Sequence, residues 1–305
     1  MAWQVFRVTY ELLSPLHIGY HKVGNVQRTR CYVPARNLWG AVTERLTRSG
    51  FTTGFPGEDY GEMGRWVADH LAFTYLFVLE GNKPLVPKYG DSGLNYGGLS
   101  RFDFERRYLS AYVTTALDAA TTSAEVGSLH EMEYIAPRNL DRSQQPETTR
   151  LGGWAFLDEE ARRHLGDETS WREWLGNLWV GGERRYGFGH LRLVGWEPSG
   201  GTGLLDGYRV DLNGDRPRVS ISEGSPLLAH APVEDLTAKG AVEPLVGRET
   251  VLSAYFGAKL IQARICWVPG SVLEDAGELE IQKRDGLWEV KNFSSSCRGN
   301  ISAGE

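Results

Sequence analysis

Residues 181–191 read GGERRYGFGHL and join a predicted helix to a predicted strand. Four glycines free the backbone to adopt positive φ angles and to approach a ligand closely, while two arginines and a tyrosine add charge and a ring that can stack. The stretch lacks the Gly-Lys-Ser/Thr ending of a mononucleotide P-loop, and its order, helix then strand, reverses that of a Rossmann turn. We predict a loop that binds a phosphodiester backbone. A tight structural connection is the alternative.

Outward from this loop, hydrophobic periodicity predicts strands and helices along the first two thirds of the chain. Residues 3–13 (WQVFRVTYELL) favour a strand, and Leu38, Val42 and Leu46, spaced by four, mark one face of a helix. The nearly continuous apolar run LAFTYLFVL at 71–79 is typical of a buried central strand. The remaining elements are a hairpin at 108–115 and 131–135, a strand at 154–157, a helix at 168–179 and a strand at 191–194.

The order strand, helix, strand, hairpin, strand, helix, strand predicts an α+β fold. It suits a ferredoxin-like sandwich with an inserted hairpin better than a doubly wound sheet. The linker PSGGTG at 198–203 divides the chain into a predicted ferredoxin-like domain, 1–197, and a predicted mainly β domain, 204–305. A degenerate second ferredoxin-like fold is the alternative for the latter. Its predicted elements are strands at 218–221, 263–268, 279–281 and 287–290, with one helix near 250–256.

Composition places the chain among ordinary globular proteins. Its 305 residues are 41% hydrophobic and 24% charged, which excludes disorder, collagen and coiled coil. No apolar run approaches the roughly 18 residues of a spanning helix, and the N-terminus alternates like a strand, so we expect a cytoplasmic, unprocessed protein with no membrane partner. Three scattered cysteines, Cys31, Cys266 and Cys297, match neither a disulfide frame nor metal-ligand spacing. We therefore expect no metal and no cofactor.

Charge is distributed unevenly along the chain. The net charge of −6 argues against a protein that binds nucleic acid through its whole surface. Residues 22–48 nevertheless hold six basic residues against one acid, Glu44, whereas residues 201–305 have a net charge of −4. A basic N-terminal face and an acidic distal part are expected of a subunit with two partners, one of them polyanionic. Ordinary solvated charge on both halves is the alternative.

Three motifs together resemble a known family. SPLHIG at 14–19 follows the first strand, YVPARNLWGA at 32–41 opens a helix, and GGERRYGFGHL at 181–191 follows another helix. In this order and spacing they resemble the RAMP superfamily of CRISPR-associated proteins over residues 3–196. GSLHEMEYI at 127–135 is similar to the hairpin of the branch called here the Cas-five branch. VEPLVGR at 242–248 and CWVPG at 266–270 look most like its type III-D, Csx-ten-like members.

The resemblance implies a ferredoxin-like, RRM-like core in a non-catalytic subunit of a type III effector ribonucleoprotein for antiviral defence. Such a subunit caps the five-prime handle of the guide RNA and contacts the large polymerase-cyclase-like subunit and the backbone RAMP subunits. This sequence departs from the commonest loop by carrying Glu183 and a negative net charge. The residues expected to bind RNA are Gly181, Gly182, Arg184, Arg185, Tyr186, Gly187, Gly189, Lys22, Arg28, Arg30 and Arg36, with Tyr20, Tyr32 and Tyr186 available to stack on bases.

Two other functions are open at this point. One is a metal-independent RAMP endoribonuclease that processes guide precursors, with His17, or a cluster of Tyr20, His21 and Lys22, supplying acid and base. We predict instead that His17 is structural, because Leu16 and Ile18 flank it and draw the chain into the core. The other is a scaffold whose loop contacts only protein. A two-metal nuclease has no support in the sequence, because the candidate carboxylates are dispersed along the chain. They are Asp91, Asp103, Asp118 and Asp206.

The hairpin at 108–135 is predicted to protrude and to touch RNA or a neighbouring subunit. Its tip is polar, with Thr114, Thr115 and a cluster at 121–123, and offers little reason to pack on its own core. Asp118 is expected to form the turn rather than a catalytic site.

Overall fold

The computed structural model describes residues 3–49, 60–141, 145–166, 168–199, 208–249 and 259–290. Its helices are α1 (Ala35–Arg48), α2 (Tyr60–His70), α3 (Arg101–Tyr108), α4 (Glu159–Leu165) and α5 (Glu168–Leu175). The strands up to residue 199 are β1 (Gln4–Leu12), β2 (Gly19–Val23), β3 (Val26–Thr29), β4 (Tyr32–Val33), β5 (Leu71–Phe73), β6 (Leu76–Glu80), β7 (Lys83–Pro84), β8 (Pro87–Gly90), β9 (Gly93–Tyr96), β10 (Leu99–Ser100), β11 (Leu109–Thr114), β12 (His130–Ile135), β13 (Arg150–Leu157), β14 (Asn177–Trp179) and β15 (His190–Pro198). The later strands are β16 (Tyr208–Asp211), β17 (Arg218–Ile221), β18 (Ala231–Pro232), β19 (Ala238–Lys239), β20 (Val242–Glu249), β21 (Lys259–Trp267), β22 (Val272–Leu273), β23 (Gly277–Ile281) and β24 (Trp288–Val290).

An eight-stranded antiparallel sheet forms the centre of the fold, in the order β14-β15-β1-β13-β6-β4, with β5 also paired to β13 and β7 to β6. The predicted first strand is confirmed as β1, which lies between β13 and β15. Val5 stands opposite Phe156 on one neighbour, and Leu12 stands opposite Leu191 on the other. All four of these side chains are buried. The N-terminal strand is therefore an interior strand whose two partners come from far along the sequence.

The helix predicted from Leu38, Val42 and Leu46 is confirmed as α1, and all three side chains are buried. It begins after Pro34, which is the N-cap residue with an extended backbone (ψ 147°) and lacks an amide hydrogen that would need a partner there. α1 packs against α2 and α5, so the helices form a layer beside the sheet. The sequence analysis did not predict α2, α3 or α4.

The run at 71–79 is buried throughout, as predicted, but the prediction of one continuous strand is wrong, because the chain forms two strands with an irregularity between them. Phe73 pairs with Ala155 and Phe77 pairs with Gly152. Four residue positions along β5–β6 therefore correspond to three along β13, so one residue is extra. The Thr74 hydroxyl accepts a hydrogen bond from the Trp154 amide at 2.9 Å, in place of a regular ladder contact. This bulge separates β5 from β6 while both remain paired with β13.

The helix predicted at 168–179 ends earlier, at Leu175. Leu178 and its neighbours instead form β14, which pairs with β15 and places Leu178 opposite Leu191. Gly176 marks the change, because a Cβ at this position would lie 2.0 Å from the Arg172 carbonyl oxygen. The loop that opens the sequence analysis therefore connects two strands, β14 and β15, rather than a helix and a strand.

The predicted hairpin is confirmed, since β11 and β12 pair antiparallel from Leu109 opposite Ile135 to Thr114 opposite His130. β12 also pairs in parallel with β3, which gives a second sheet in the order β11-β12-β3-β2. Residues 115–127 are all exposed. Asp118 holds the tip as predicted, because its carboxylate accepts hydrogen bonds from the amides of Ala120 and Thr121.

The described part of the chain after residue 208 is mainly β, as predicted. It contains sheets in the orders β16-β17-β23-β24 and β18-β21-β20, with β19 paired to β22. These strands pack directly on the N-terminal part: the Trp3 amide donates to the Leu212 carbonyl at 3.2 Å, and Trp288 is fully buried in the shared core. The helix predicted at 250–256 and most of the linker predicted at 198–203 lie outside the described residues.

None of the described helices has both the length and the apolar character needed to cross a lipid bilayer.

Candidate nucleic-acid interface

Residues 181–189, the glycine loop, are fixed on the segment 14–17 by backbone hydrogen bonds. The Gly182 amide donates to the His17 carbonyl at 2.9 Å, and the Gly189 amide donates to the Pro15 carbonyl at 2.7 Å. The Ser14 hydroxyl accepts a further bond from the His190 amide at 3.0 Å. Two of the three motifs identified in the sequence thus form one structural unit.

Two glycines at the ends of the glycine loop are required by close packing. Gly181 has φ +79°, and a Cβ there would lie 2.3 Å from the His17 carbonyl oxygen. Gly189 has φ +83°, and a Cβ there would lie 1.9 Å from the Val180 carbonyl oxygen. Neither distance is tolerable for a side chain. Close packing therefore explains why glycine is needed at these two positions, as expected of a tight structural connection. Gly187 has φ +79°, but a Cβ there would meet no atom within 4 Å.

The apex of the glycine loop is a short 3₁₀ turn at Arg184–Tyr186 that projects into solvent. Tyr186 is 68% exposed. Arg185 is also exposed and has no ion-pair partner among the residues that the structure describes. Arg184 is partly committed, because its Nη1 lies 2.5 Å from Oε2 of Glu44 on α1. The apex thus offers one unpaired guanidinium, one paired guanidinium and one accessible aromatic ring.

His17 is buried beneath the glycine loop, with 5% of its surface exposed. Its Nδ1 lies 2.7 Å from the Glu133 carbonyl oxygen, so the ring donates from Nδ1 to β12. The buried, hydrogen-bonded position predicted for His17 is confirmed. This histidine connects the hairpin sheet to the segment that carries the glycine loop.

The four basic residues predicted in the N-terminal segment differ in their availability. Lys22 is exposed on β2, a strand at the edge of its sheet. Arg28 pairs with Glu133 at 3.0 Å, and Arg30 pairs with Glu243 at 2.5 Å. Arg36 donates from Nη2 to the Arg248 carbonyl at 3.2 Å. Three of the four therefore bind groups within the protein, and Lys22 projects to solvent.

A buried hydrogen-bonded chain surrounds Arg30. The Tyr75 hydroxyl donates to Nδ1 of His230 at 2.7 Å, and Nε2 of His230 donates to Glu243 at 2.6 Å. Burial lowers the pKa of His230, which favours the neutral ring, and the Glu243 carboxylate, which can only accept, fixes the proton on Nε2. Burial acts to raise the pKa of Glu243, but the hydrogen bond from His230 and the charge of Arg30 outweigh it and lower that pKa. An ionised Glu243 therefore holds the cationic Arg30.

Tyr20 lies at the surface end of this chain. The Arg30 guanidinium is 4.8 Å from the centre of the Tyr20 ring, and 48% of the tyrosine is exposed. Burial and the nearby Glu243 carboxylate raise the pKa of Tyr20, so the phenol keeps its proton at neutral pH. Tyr32, in contrast, is only 8% exposed. The prediction that Tyr32 is free to stack on a base is wrong, because its ring packs between Tyr75 and Phe77.

The structure brings together no metal-binding cluster among the residues it describes, since no group of three His, Cys, Asp or Glu side chains converges there. His21 lies beside Tyr20, with ring centres 4.1 Å apart. Asp103 lies in the first turn of α3, where its carboxylate accepts from the hydroxyl of the capping residue Ser100, and the Asp118 carboxylate holds the hairpin turn. Asp206 lies outside the described residues.

A family model described as the RAMP superfamily matches residues 9–192, more than half of the chain. The chain belongs to the RAMP superfamily. The match includes the segment 14–17 and the glycine loop, which backbone hydrogen bonds join, and α1, which Glu44 connects to the loop through its ion pair with Arg184.

The solved structures that resemble this RAMP protein include two of a type III-B Cmr-beta complex. A cryo-EM structure of the type III-B Cmr-beta bound to cognate target RNA and AMPPnP, state 1, gives a TM-score of 0.54 at 12% identity and covers 88% of this chain and 86% of the other. A cryo-EM structure of the type III-B Cmr-beta bound to cognate target RNA gives 0.53 at 12% identity, with the same coverage. At this identity the likeness shows a shared fold. A search of curated proteins finds no match.

Proposed function

We propose that this RAMP protein is a non-catalytic RNA-binding subunit of a type III CRISPR effector ribonucleoprotein, acting in the cytoplasm in antiviral defence. In that assembly it caps the five-prime handle of the guide RNA and contacts the large polymerase-cyclase-like subunit and the backbone RAMP subunits. The branch is the Cas-five branch, type III-D. Family membership and the shared fold with subunits of RNA-bound complexes support this proposal.

The order of elements supports a ferredoxin-like core. Along the chain the central elements are β1, α1, β6, β13, α5 and β15, and across the sheet the strands stand in the order β15-β1-β13-β6. A βαββαβ order with the first and third strands in the centre is what the ferredoxin-like fold requires. On this core the glycine loop directly precedes the last strand.

The observation that carries the proposal is the exposed apex of the glycine loop. Arg185 and Tyr186 project from a backbone anchored at both ends, so a phosphate and a base can be bound with little loss of loop entropy. In the proposed interface Gly182, Gly187, Arg185, Tyr186 and Lys22 face the RNA, and Arg184 joins them when it releases Glu44. Gly181, Gly189, Arg28, Arg30 and Arg36 shape and hold this surface.

The absence of catalysis is part of the proposal. A general base must reach the proton that it removes, and His17 is buried with its Nδ1 bonded to a backbone carbonyl. Incubation of the purified protein with labelled repeat RNA in chelator separates this function from an endoribonuclease. Cleavage under these conditions would contradict the non-catalytic assignment.

Fluorescence anisotropy with a labelled single-stranded RNA over a range of salt concentrations tests RNA binding. Arg185→Glu is expected to weaken binding for all sequences and to reduce the log-log salt slope by about one unit. Arg209→Glu is the matched control, because Arg209 is an exposed arginine on β16 in a different sheet. An unchanged slope for Arg185→Glu, or an equal loss in the control, would exclude phosphate binding at the apex. Loss of guide RNA from the complex purified with the variant would exclude a scaffold role.

A further inference from the structure

A cavity of about 140 Å³ opens beside Tyr20, between the hairpin sheet, α3 and the C-terminal strands. β3 contributes Arg28, α3 contributes Arg101, and β20 contributes Glu243. An engineered cavity of roughly 150 Å³ in another protein holds a benzene ring, so this space fits one aromatic ring rather than a folded segment. The function proposed above uses Arg28 and Arg30 as supports of the surface, and it places no ligand in this cavity.

Four tyrosines, Tyr20, Tyr32, Tyr89 and Tyr96, line part of the cavity wall. Tyr20 and Tyr89 are partly exposed at the cavity, and Tyr96 is buried deeper, where it stacks on Phe104 with ring centres 4.1 Å apart. Burial raises the pKa of Tyr89, so its phenol is a hydrogen-bond donor at neutral pH. Burial also raises the pKa of Cys31 to about 12, which leaves this thiol an unreactive part of the wall.

Polar groups at the rim leave capacity for a ligand. The Nε of Arg101 donates to Glu105 at 2.7 Å, and more than half of the Arg101 side chain remains exposed. Glu105 also lies 3.8 Å from Arg28. The Glu105 carboxylate, an acceptor, and the Arg101 guanidinium, a donor, thus lie side by side at the rim of the tyrosine-lined cavity. This combination of stacking surface and edge-reading polar groups is how proteins bind unpaired RNA bases.

The Arg30 guanidinium holds the Tyr20 ring in place. Arg30 lies against one face of it, and Glu243 and Tyr32 fix that arginine. A stacking surface that is already ordered loses little entropy on binding. Glu243 is therefore a positioning residue for this wall, contributed by the C-terminal part of the chain.

The cavity lies close to the glycine loop along the chain. The backbone carbonyl of His17 accepts the hydrogen bond from the Gly182 amide. Tyr20 follows three residues later, so its Cα lies at most about 11 Å from that of His17. A single strand that crosses the glycine loop can therefore reach the cavity within a few nucleotides.

We propose that this cavity binds one unpaired base of the RNA, stacked on Tyr20 and read at its edge by Arg101 and Glu105. This inference rests on the proposed function and adds a base-specific site to a surface that otherwise contacts phosphate. It predicts that one nucleotide of the bound strand is turned away from its neighbours.

The test uses the full chain and a panel of single-stranded RNAs in which 2-aminopurine replaces one base at a time. We expect the fluorescence to be quenched at one position when the protein binds. Tyr20→Ala should remove that quenching and weaken binding about tenfold, because the stacking contact is lost, whereas Tyr20→Phe should retain both. Tyr60→Ala, which removes an equally exposed tyrosine on α2 outside the cavity, should change neither.

A second variant fills the cavity without removing a binding group. Ala241→Phe places a ring in the space from the C-terminal wall and should also remove the quenching. Circular dichroism confirms that each variant is folded. RNA binding without quenching at any position, or quenching that survives both Tyr20→Ala and Ala241→Phe, would overturn the base site alone. Absence of any RNA binding by the wild-type protein would overturn the proposed function and this site with it.

Discussion

Arg30 and Glu243 form an ion pair across 213 positions of sequence, with Nη1 and Oε1 2.5 Å apart and both side chains nearly buried. Arg30 follows β3, and Glu243 lies on β20. The pair therefore fixes the C-terminal strands to the segment that leads into α1, and it does so at the foot of Tyr20.

Glu243→Gln is expected to destabilise the protein by about 3 kcal/mol, because it leaves a buried guanidinium without its counter-charge. Urea unfolding followed by circular dichroism measures the change. Lys239→Ala, which breaks the exposed pair with Glu274, is the control and should change the unfolding free energy by less than about 0.5 kcal/mol. Equal effects of the two substitutions would show that burial of the Arg30 pair has no energetic role.

The buried chain also predicts a dependence of stability on pH. The pKa of His230 is lowered in the folded state, so the unfolded state binds more protons below about pH 6.5. The free energy of unfolding should fall as the pH drops from 7 towards 5, and the lowered pKa of Glu243 should add a further fall below about pH 4.5. His230→Gln should flatten the first part of this profile. A wild-type profile that is flat from pH 7 to 5 would contradict the prediction.

Gly189→Ala should destabilise the protein more than Gly187→Ala. Both residues have a positive φ, which costs a non-glycine residue about 1 kcal/mol or more, but only at Gly189 would the new Cβ meet a backbone oxygen. Chemical denaturation of the two variants compares them directly. The same cost at both positions would mean that the close packing of the loop end is readily relieved.

His17→Ala should lower stability by about 1–3 kcal/mol, through a small cavity and a Glu133 carbonyl left without its donor. Any cleavage of target RNA by the assembled complex should persist, because the proposed function places the cutting residues on other subunits. Thermal unfolding and a cleavage assay check the two parts. A folded variant that has lost cleavage of repeat RNA would favour the endoribonuclease.

Replacing residues 117–127 by a two-residue turn should leave the protein folded. These residues are exposed, and Asp118 bonds only within the tip, so the core loses no contact. We expect assembly with neighbouring subunits or RNA to fail. Size-exclusion chromatography with the partner subunits measures assembly, and an insoluble or unfolded variant would show that the hairpin belongs to the core.

Local patterns in the sequence predicted the elements whose spacing is regular. β1, α1 and the hairpin were predicted from hydrophobic spacing, and the glycine loop from its composition. α3 was missed although Ser100 and Asp103 form a capping signal, and α2 was missed although Met63 and Val67 have helical spacing. The strand at 71–79 was predicted as continuous, which was wrong, because the interruption depends on Thr74 bonding to Trp154, a residue 80 positions away.

The candidate site could be predicted only in part, for a similar reason. The glycine loop and its exposed apex have a local signature. The partners of Arg28 and Arg30 lie 105 and 213 residues away, so the sequence shows six basic residues but not the glutamates that neutralise two of them. Which cations remain free depends on long-range pairing, which periodicity does not contain.

The interior position of β1 affects how the chain folds as it is synthesised. Glu11 pairs with Arg150 and Leu12 with Leu191, so the first strand waits for partners about 140 and 180 residues later. At 5–20 residues per second a ribosome needs roughly 7–28 s to make the nearer one. During this time a nine-residue strand with five side chains destined for the core has both edges unpaired, which makes the nascent chain a candidate for chaperone binding and predicts slow folding through non-local contacts.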